Sequence, residues 1–105
     1  MVQTMKTAYS NELQTGDFII ISNGNFLALG FYLGRGSTGS LQFYSLWNLS
    51  TWLNKTNRVK SPRKEHVNVS GQYRVAKYHP DCLENPEFIE KYEKAVEALK
   101  LLKII

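Results

Sequence analysis

Side chains that carry catalytic and metal chemistry are scarce in this sequence. Its 105 residues include a single cysteine, Cys82, and two histidines, His66 and His79. A structural zinc site normally needs four such ligands, and one cysteine cannot form an internal disulfide, which is typical of a protein from a reducing compartment. The sequence therefore predicts a protein without a metal, a cofactor or a catalytic residue.

One short segment does combine reactive groups. His79, Asp81 and Cys82 bring together a base, an acid and a thiol around Pro80, and cysteine nucleophiles use such groups. Neighbours in sequence rarely have catalytic geometry, and a proline close to a helix start is typical of a turn. We expect a turn here and a non-enzymatic protein.

Long apolar runs, repeats and low-complexity tracts are also missing. No run approaches the roughly 18 apolar residues of a membrane span, and residues 1–10 lack the apolar stretch of a signal peptide. We therefore expect a cytoplasmic protein with no membrane partner. The length fits a single domain over residues 1–105.

Charge is present but unevenly distributed. The net charge is +4, and residues 1–83 hold nine lysines and arginines against four acids, whereas residues 84–105 hold four lysines against five glutamates. The first part of the chain is therefore basic and the tail is balanced. This asymmetry favours an anionic partner such as nucleic acid or the acidic face of a protein.

The strongest structural signal is a β-hairpin near the N-terminus. Two apolar runs, residues 18–21 and 26–33, are separated by Asn23, Gly24 and Asn25, a sequence typical of a tight hairpin turn. Gly30 interrupts the second run. We expect a bulge or a sharp bend at this glycine.

Two further strands and a short helix complete a β-rich body over about residues 13–78. Residues 41–44 and 73–78 alternate as strands do. Ser45 can cap a helix near residues 46–54, where leucines recur at intervals of three and four. The body is therefore predicted to contain one inserted helix.

A second helix is predicted over residues 85–103. Asn85, Pro86 and Glu87 supply an N-cap side chain, a proline at the first helical position and an acid in the first turn. We expect its apolar stripe to cover the sheet, or alternatively to form a homo-oligomer or partner surface. The stripe contains Phe88, Ile89, Tyr92, Val96, Leu99 and Leu102.

A basic segment offers the best electrostatic candidate for a binding site. Cations on such a segment contact phosphates, and nearby aromatic rings can stack on the bases of single-stranded nucleic acid. The alternative is a solvated loop with both tryptophans in the core. The segment contains Lys55, Arg58, Lys60, Arg63 and Lys64, and the nearby rings are Tyr44, Trp47 and Trp52.

A glycine-rich loop joins the second and third predicted strands. Its spacing matches G-x-G-x-x-G, but a strand follows it where a dinucleotide-binding fold requires a helix. A plain hairpin loop is favoured, and an anion or nucleotide cradle is the alternative. The loop contains Gly34, Arg35, Gly36, Ser37, Thr38 and Gly39.

The sequence shows two resemblances to known proteins. Residues 13–20, which read LQTGDFII, and residues 29–34, which read LGFYLG, resemble the opening of SH3-like small barrels, including the KOW modules of transcription and translation factors. The chain as a whole, with residues 41–47, 73–77 and 92–97, is similar in style to small accessory proteins of T4-like tailed phages. The phage resemblance implies binding and inhibition of a host factor or defence system, or sequestration of its nucleotide signal.

The predicted fold class is α+β. We expect a small, strongly bent antiparallel sheet of about four to five strands approaching an SH3-like barrel, with a short inserted helix and a C-terminal amphipathic helix. The predicted function is that of a basic module binding RNA or single-stranded DNA. The alternatives are a phage-encoded inhibitor that binds a host or defence protein in the host cytoplasm, and a protein that sequesters a nucleotide.

Overall fold

The computed structural model describes residues 5–7, 13–23, 26–37, 39–55, 60–67 and 73–105. These residues form an antiparallel sheet of six strands and two α-helices, which confirms the α+β fold class. The strands are β1 (Met5–Thr7), β2 (Phe18–Asn23), β3 (Phe26–Arg35), β4 (Leu41–Ser45), β5 (Glu65–Val67) and β6 (Arg74–Tyr78), and the helices are α1 (Leu46–Asn54) and α2 (Pro86–Leu101).

The predicted hairpin forms the centre of the sheet. In the order β1-β6-β2-β3-β4-β5, strands β2 and β3 pair from Phe18↔Phe31 to Asn23↔Phe26, and their turn residues lie outside the described part of the chain. The two edge strands, β1 and β5, were not predicted. Each has only three residues, which is too short to show a period of two.

Gly30 does not mark the bulge predicted there. The register between β3 and β4 shifts instead between Tyr32 and Gly34, three residues further along. Gly30 itself pairs regularly with both neighbouring strands, and a Cβ at this position would lie 2.5 Å from the carbonyl oxygen of Tyr44. Glycine is needed here because β4 approaches closely.

The sheet is buried on both faces. On one face Phe18, Phe31 and Tyr44 pack under the helices, against Leu49 of α1 and Leu99 of α2. The other face carries a second cluster drawn from five strands, and no described helix residue belongs to it, which indicates that the sheet bends around it. This second cluster contains Leu13, Ile19, Ile21, Tyr32, Leu41, Phe43, Val67 and Val75.

Both helices begin where the sequence predicts. The Ser45 hydroxyl accepts a hydrogen bond from the Asn48 backbone N–H at 3.0 Å, and the Asn85 side chain accepts one from Glu87 N–H at 2.8 Å. Each bond satisfies one of the free N–H groups of a first turn. Helix α1 therefore begins directly after the last residue of β4, and the chain leaves the sheet at this point.

The buried face of α2 differs from the predicted stripe in its first turn. Ala95, Ala98 and Leu99 are fully buried, whereas Phe88 and Ile89 are exposed. Small alanines let α2 pack closely in the core beneath it, together with Leu49 and Trp52 of α1. The apolar side chains at its start are left at the surface.

Candidate binding surface

A groove lined mainly by apolar side chains lies where β3, α1 and α2 meet. We call it the apolar groove. It has a volume of about 380 Å³, within the size range of protein ligand sites. Its main lining residues are Leu27 and Leu29 of β3, Leu46 and Trp47 of α1, and Glu87, Phe88 and Lys91 of α2.

Three large side chains of the groove are exposed. The exposed fractions are 64% for Leu27, 62% for Trp47 and 40% for Phe88. Single exposed apolar residues are ordinary, but a group of them around one concavity is typical of an interaction site. The groove is therefore the strongest candidate binding surface in the described part of the chain.

A cation–π contact holds the Trp47 side chain at the groove. The Lys91 Nζ atom lies 4.7 Å from the centre of the Trp47 ring, and it also lies 3.9 Å from the Glu87 carboxylate one turn earlier on α2. The cation–π contact contributes about 0.5–1 kcal/mol at an exposed site. One face of the indole is thus covered by an ammonium group, and the side chain is positioned before any partner arrives.

The basic segment is attached to the same helix. The Asn48 side-chain amide donates to the backbone carbonyl of Arg63 at 3.2 Å and to the Glu65 carboxylate at 2.6 Å. These bonds hold the segment that precedes β5 against the first turn of α1. Of the five predicted cations, Lys55, Lys60, Arg63 and Lys64 are exposed, and Arg58 lies outside the described residues.

The aromatic side chains predicted to stack on bases do not lie together. Tyr44 and Trp52 are buried, with 3% and 8% of their surfaces exposed, and both belong to the core under the helices. Their rings cannot meet a base without unfolding. Trp47 alone among the three predicted rings is available to a partner.

The glycine-rich loop uses its own donors internally. The Gly36 N–H donates to the Ser40 carbonyl at 2.8 Å, and the Gly39 N–H donates to the Gly36 carbonyl at 2.9 Å. The Arg35 guanidinium donates to the Gly39 carbonyl, and Thr38 lies outside the described residues. The N–H groups of Gly36 and Gly39 are therefore already paired within the loop, and the anion or nucleotide cradle stays a prediction.

The segment with the base, acid and thiol forms a turn, as predicted. His79 caps a short 3₁₀ helix over Pro80–Cys82, where its Nδ1 atom accepts from the Asp81 N–H at 3.2 Å. The Tyr78 hydroxyl donates to the Cys82 carbonyl at 3.3 Å. Within the described ranges, no group of three or more His, Cys, Asp and Glu side chains is arranged to hold a metal ion.

Sequence reasoning identified Trp47 but missed Leu27 and Phe88. Leu27 lies in a predicted strand to which no site was assigned, and Phe88 lies in the stripe predicted to cover the sheet or, alternatively, to form a homo-oligomer or partner surface. A signal for the groove does exist, because the run that becomes β3 is twice as long as the run that becomes β4. A long strand beside a short one leaves part of its edge without a neighbour.

None of the helices placed within the described ranges is both long enough and apolar enough to cross a membrane. Comparison of the chain with protein-family models, with curated proteins and with solved structures gives no match.

Proposed function

We propose that this chain is a non-enzymatic module that binds another protein through the apolar groove. The observation that carries the proposal is the exposure of Leu27, Trp47 and Phe88 around one concavity. Tryptophan at the centre of such a site is among the residues that contribute most to protein–protein binding. Burying these three side chains against a partner would remove apolar surface from water at about 25 cal/mol per Å².

The charge of the chain as a whole favours an acidic partner. The net charge is +4. Within the groove the Lys91 ammonium is paired with Glu87, whereas the cations of the basic segment, which Asn48 ties to α1 through the Arg63 carbonyl, are exposed. Opposite charge on a partner would speed its approach and fix its orientation. The resemblance to phage accessory proteins supports a host or defence protein as this partner, in the cytoplasm of a host bacterium.

The test is affinity capture from a nuclease-treated bacterial lysate with three versions of the protein. Trp47→Ala removes the central ring, and Thr51→Ala changes an exposed residue one turn further along α1. We expect the wild type and Thr51→Ala to retain the same stoichiometric protein and Trp47→Ala to lose it. Capture that is equal for all three versions, or no captured protein at all, would contradict the proposal.

Nucleic-acid binding is a second candidate, supported by the basic segment. Lys60, Arg63 and Lys64 are exposed, and the two hydrogen bonds from Asn48 tie the Arg63 carbonyl and the Glu65 side chain to α1. A cationic edge of this kind binds phosphates with a strong dependence on salt. Because Tyr44 and Trp52 are buried and cannot stack on bases, nucleic-acid binding has less support than protein binding.

Fluorescence anisotropy with a labelled single-stranded RNA tests the second candidate. We expect binding that weakens steeply between about 50 and about 200 mM salt, and that is lost when Lys60, Arg63 and Lys64 are all replaced by alanine. A charge-matched control replaces Lys94, Lys100 and Lys103, which lie on or after α2. Equal losses in the two triple variants would show that net charge, and not this segment, drives binding.

A further inference from the structure

Strand β3 has an unpaired edge beside the apolar groove. Strand β4 pairs with β3 only from Gly30↔Ser45 onward, because α1 begins at Leu46. The first residues of β3 extend beyond this point and pair with β2 on their other side. No described strand lies opposite Leu27 and Leu29 on the side of the groove.

Backbone groups of Leu27 and Leu29 face this open side. Tyr32 donates its N–H to the Asp17 carbonyl, and its carbonyl accepts from the Gly16 N–H, both at 2.9 Å, on the side that leads into β2. Backbone groups alternate in direction along a strand, so the even-numbered residues before Tyr32 face β2. Those of Leu27 and Leu29 point the opposite way, toward the side on which β4 lies. The pair Gly30↔Ser45 closes the β3–β4 ladder through the Leu46 N–H and the Leu29 carbonyl, so the N–H and C=O groups of Leu27 and the N–H of Leu29 are left facing the open side.

Side chains above this open edge form a second, matching feature. Leu27 and Leu29 share the face of β3 on which Phe31 packs under the helices, and Trp47 and Phe88 stand across the groove from them. An added strand would have alternate side chains directed into this apolar space. The same place therefore offers backbone hydrogen bonds and pockets for every second side chain.

We propose that the apolar groove binds its partner as an added β-strand. The occupant is an extended peptide segment of the partner, apolar at alternate positions and acidic overall, which continues the line of β4 beyond Leu46 and pairs with Leu27. Strand addition to an exposed sheet edge takes its affinity from backbone bonds and its specificity from alternate side chains. This inference rests on the proposed protein-binding function and specifies the partner's conformation.

A partner is favoured over a second copy of the chain by charge. Two copies would bring two net charges of +4 together, whereas an acidic peptide would reduce the charge of the complex. The extended conformation is favoured over a helix by the backbone groups, since a helix satisfies its own N–H and C=O groups and would leave those of Leu27 uncovered.

The test selects short random peptides displayed on a surface against the wild-type protein and removes those that also bind Trp47→Ala. We expect the remaining peptides to be acidic and apolar at every second position. Methylation of single backbone nitrogens in a synthetic version should weaken binding about three- to tenfold at alternate positions and leave the others unchanged. A helical spacing of three and four, or indifference to methylation, would overturn strand addition while leaving a peptide-binding groove in place.

A variant of the protein tests the same hydrogen bonds by removing a donor of the protein instead of one of the peptide. Leu27 faces Ser22 of β2 as a pair without mutual hydrogen bonds, because the hydrogen-bonded pairs are those of the even-numbered residues of β3. Leu27→Pro therefore removes the donor on the groove side and no bond within the sheet, and Leu27→Ala is its control. We expect Leu27→Pro to bind the selected peptide at least threefold more weakly than Leu27→Ala. Equal affinities would contradict the proposal.

Two further results would be decisive. If no peptide distinguishes the wild type from Trp47→Ala, the protein-binding function itself is contradicted. If sedimentation shows a dimer that Leu27→Pro dissociates, the open edge binds a second copy and the partner peptide is overturned.

Discussion

The two tryptophans of α1 provide a direct test of how this surface is built. Trp47 is 62% exposed at the groove and Trp52 is 8% exposed in the core. Both lie in the same nine-residue helix, so the two alanine substitutions are compared in the same helical context. The structure predicts that the two substitutions have very different effects on the free energy of unfolding.

The magnitude for Trp47→Ala follows from what the ring touches. A little over a third of the side chain is covered, which is about 90 Å² of a large aromatic residue, or roughly 2 kcal/mol at 25 cal/mol per Å². The contact with Lys91 adds about 0.5–1 kcal/mol. Alanine retains part of the covered area and favours the helix by about 0.5 kcal/mol. We expect a net loss of about 1–2 kcal/mol.

Trp52→Ala removes a ring that is packed on nearly all sides and leaves a cavity in the core. Such substitutions cost about 3–5 kcal/mol, a large part of the total stability of about 5–15 kcal/mol that a domain of this size has. Urea unfolding followed by far-ultraviolet circular dichroism measures both variants. Each kcal/mol corresponds to about 4–8 °C in Tm. Equal losses for the two variants would refute the assignment of Trp47 to the surface and Trp52 to the core.

Three other substitutions have expected outcomes in the same unfolding measurements. Gly30→Ala should lower stability by about 1–3 kcal/mol, because its Cβ would meet the Tyr44 carbonyl oxygen at 2.5 Å; a neutral effect would show that β4 does not approach so closely. Lys103→Gly should raise stability by about 0.5–1 kcal/mol, since Lys103 has a left-handed φ of 60° that favours glycine, whereas Lys100→Gly within α2 should lower it. Burial raises the pKa of Tyr92, so the unfolded state loses the phenolic proton first, and stability that is complete below about pH 10 is lost as the pH rises through the folded-state pKa. The loss of stability above about pH 10 should be smaller in Tyr92→Phe than in the wild type, and identical losses would contradict a raised pKa.

Local signals explain why much of the fold could be predicted. The hairpin depends on two strands and the few residues between them, and the caps at Ser45 and Asn85 depend on neighbours within one turn. Strands β1 and β5 are recognisable only through their partners, because three residues carry no periodic pattern. Position in the sheet, and not local propensity, determines them.

The groove could not be predicted because it depends on where separate elements end. Leu27 is exposed because β4 stops at Ser45, and Phe88 is exposed because the fully buried residues of α2 lie further along the helix. The difference in exposure between the two tryptophans does have a signal in the sequence. Trp47 and Thr51 are four residues apart and therefore share the polar side of α1. The stripe of leucines in α1 lies on the opposite side, toward which Trp52 is directed.

The central claim is that the apolar groove is where another protein binds. Its most direct test places a photoreactive benzoylphenylalanine at Leu27, with a control at Glu97 on the exposed side of α2, and irradiates bacterial cells that produce each version. We expect one discrete protein adduct from position 27 that is absent from position 97 and is lost when Trp47→Ala is added. Identical adducts from both positions, or none from position 27, would contradict the account.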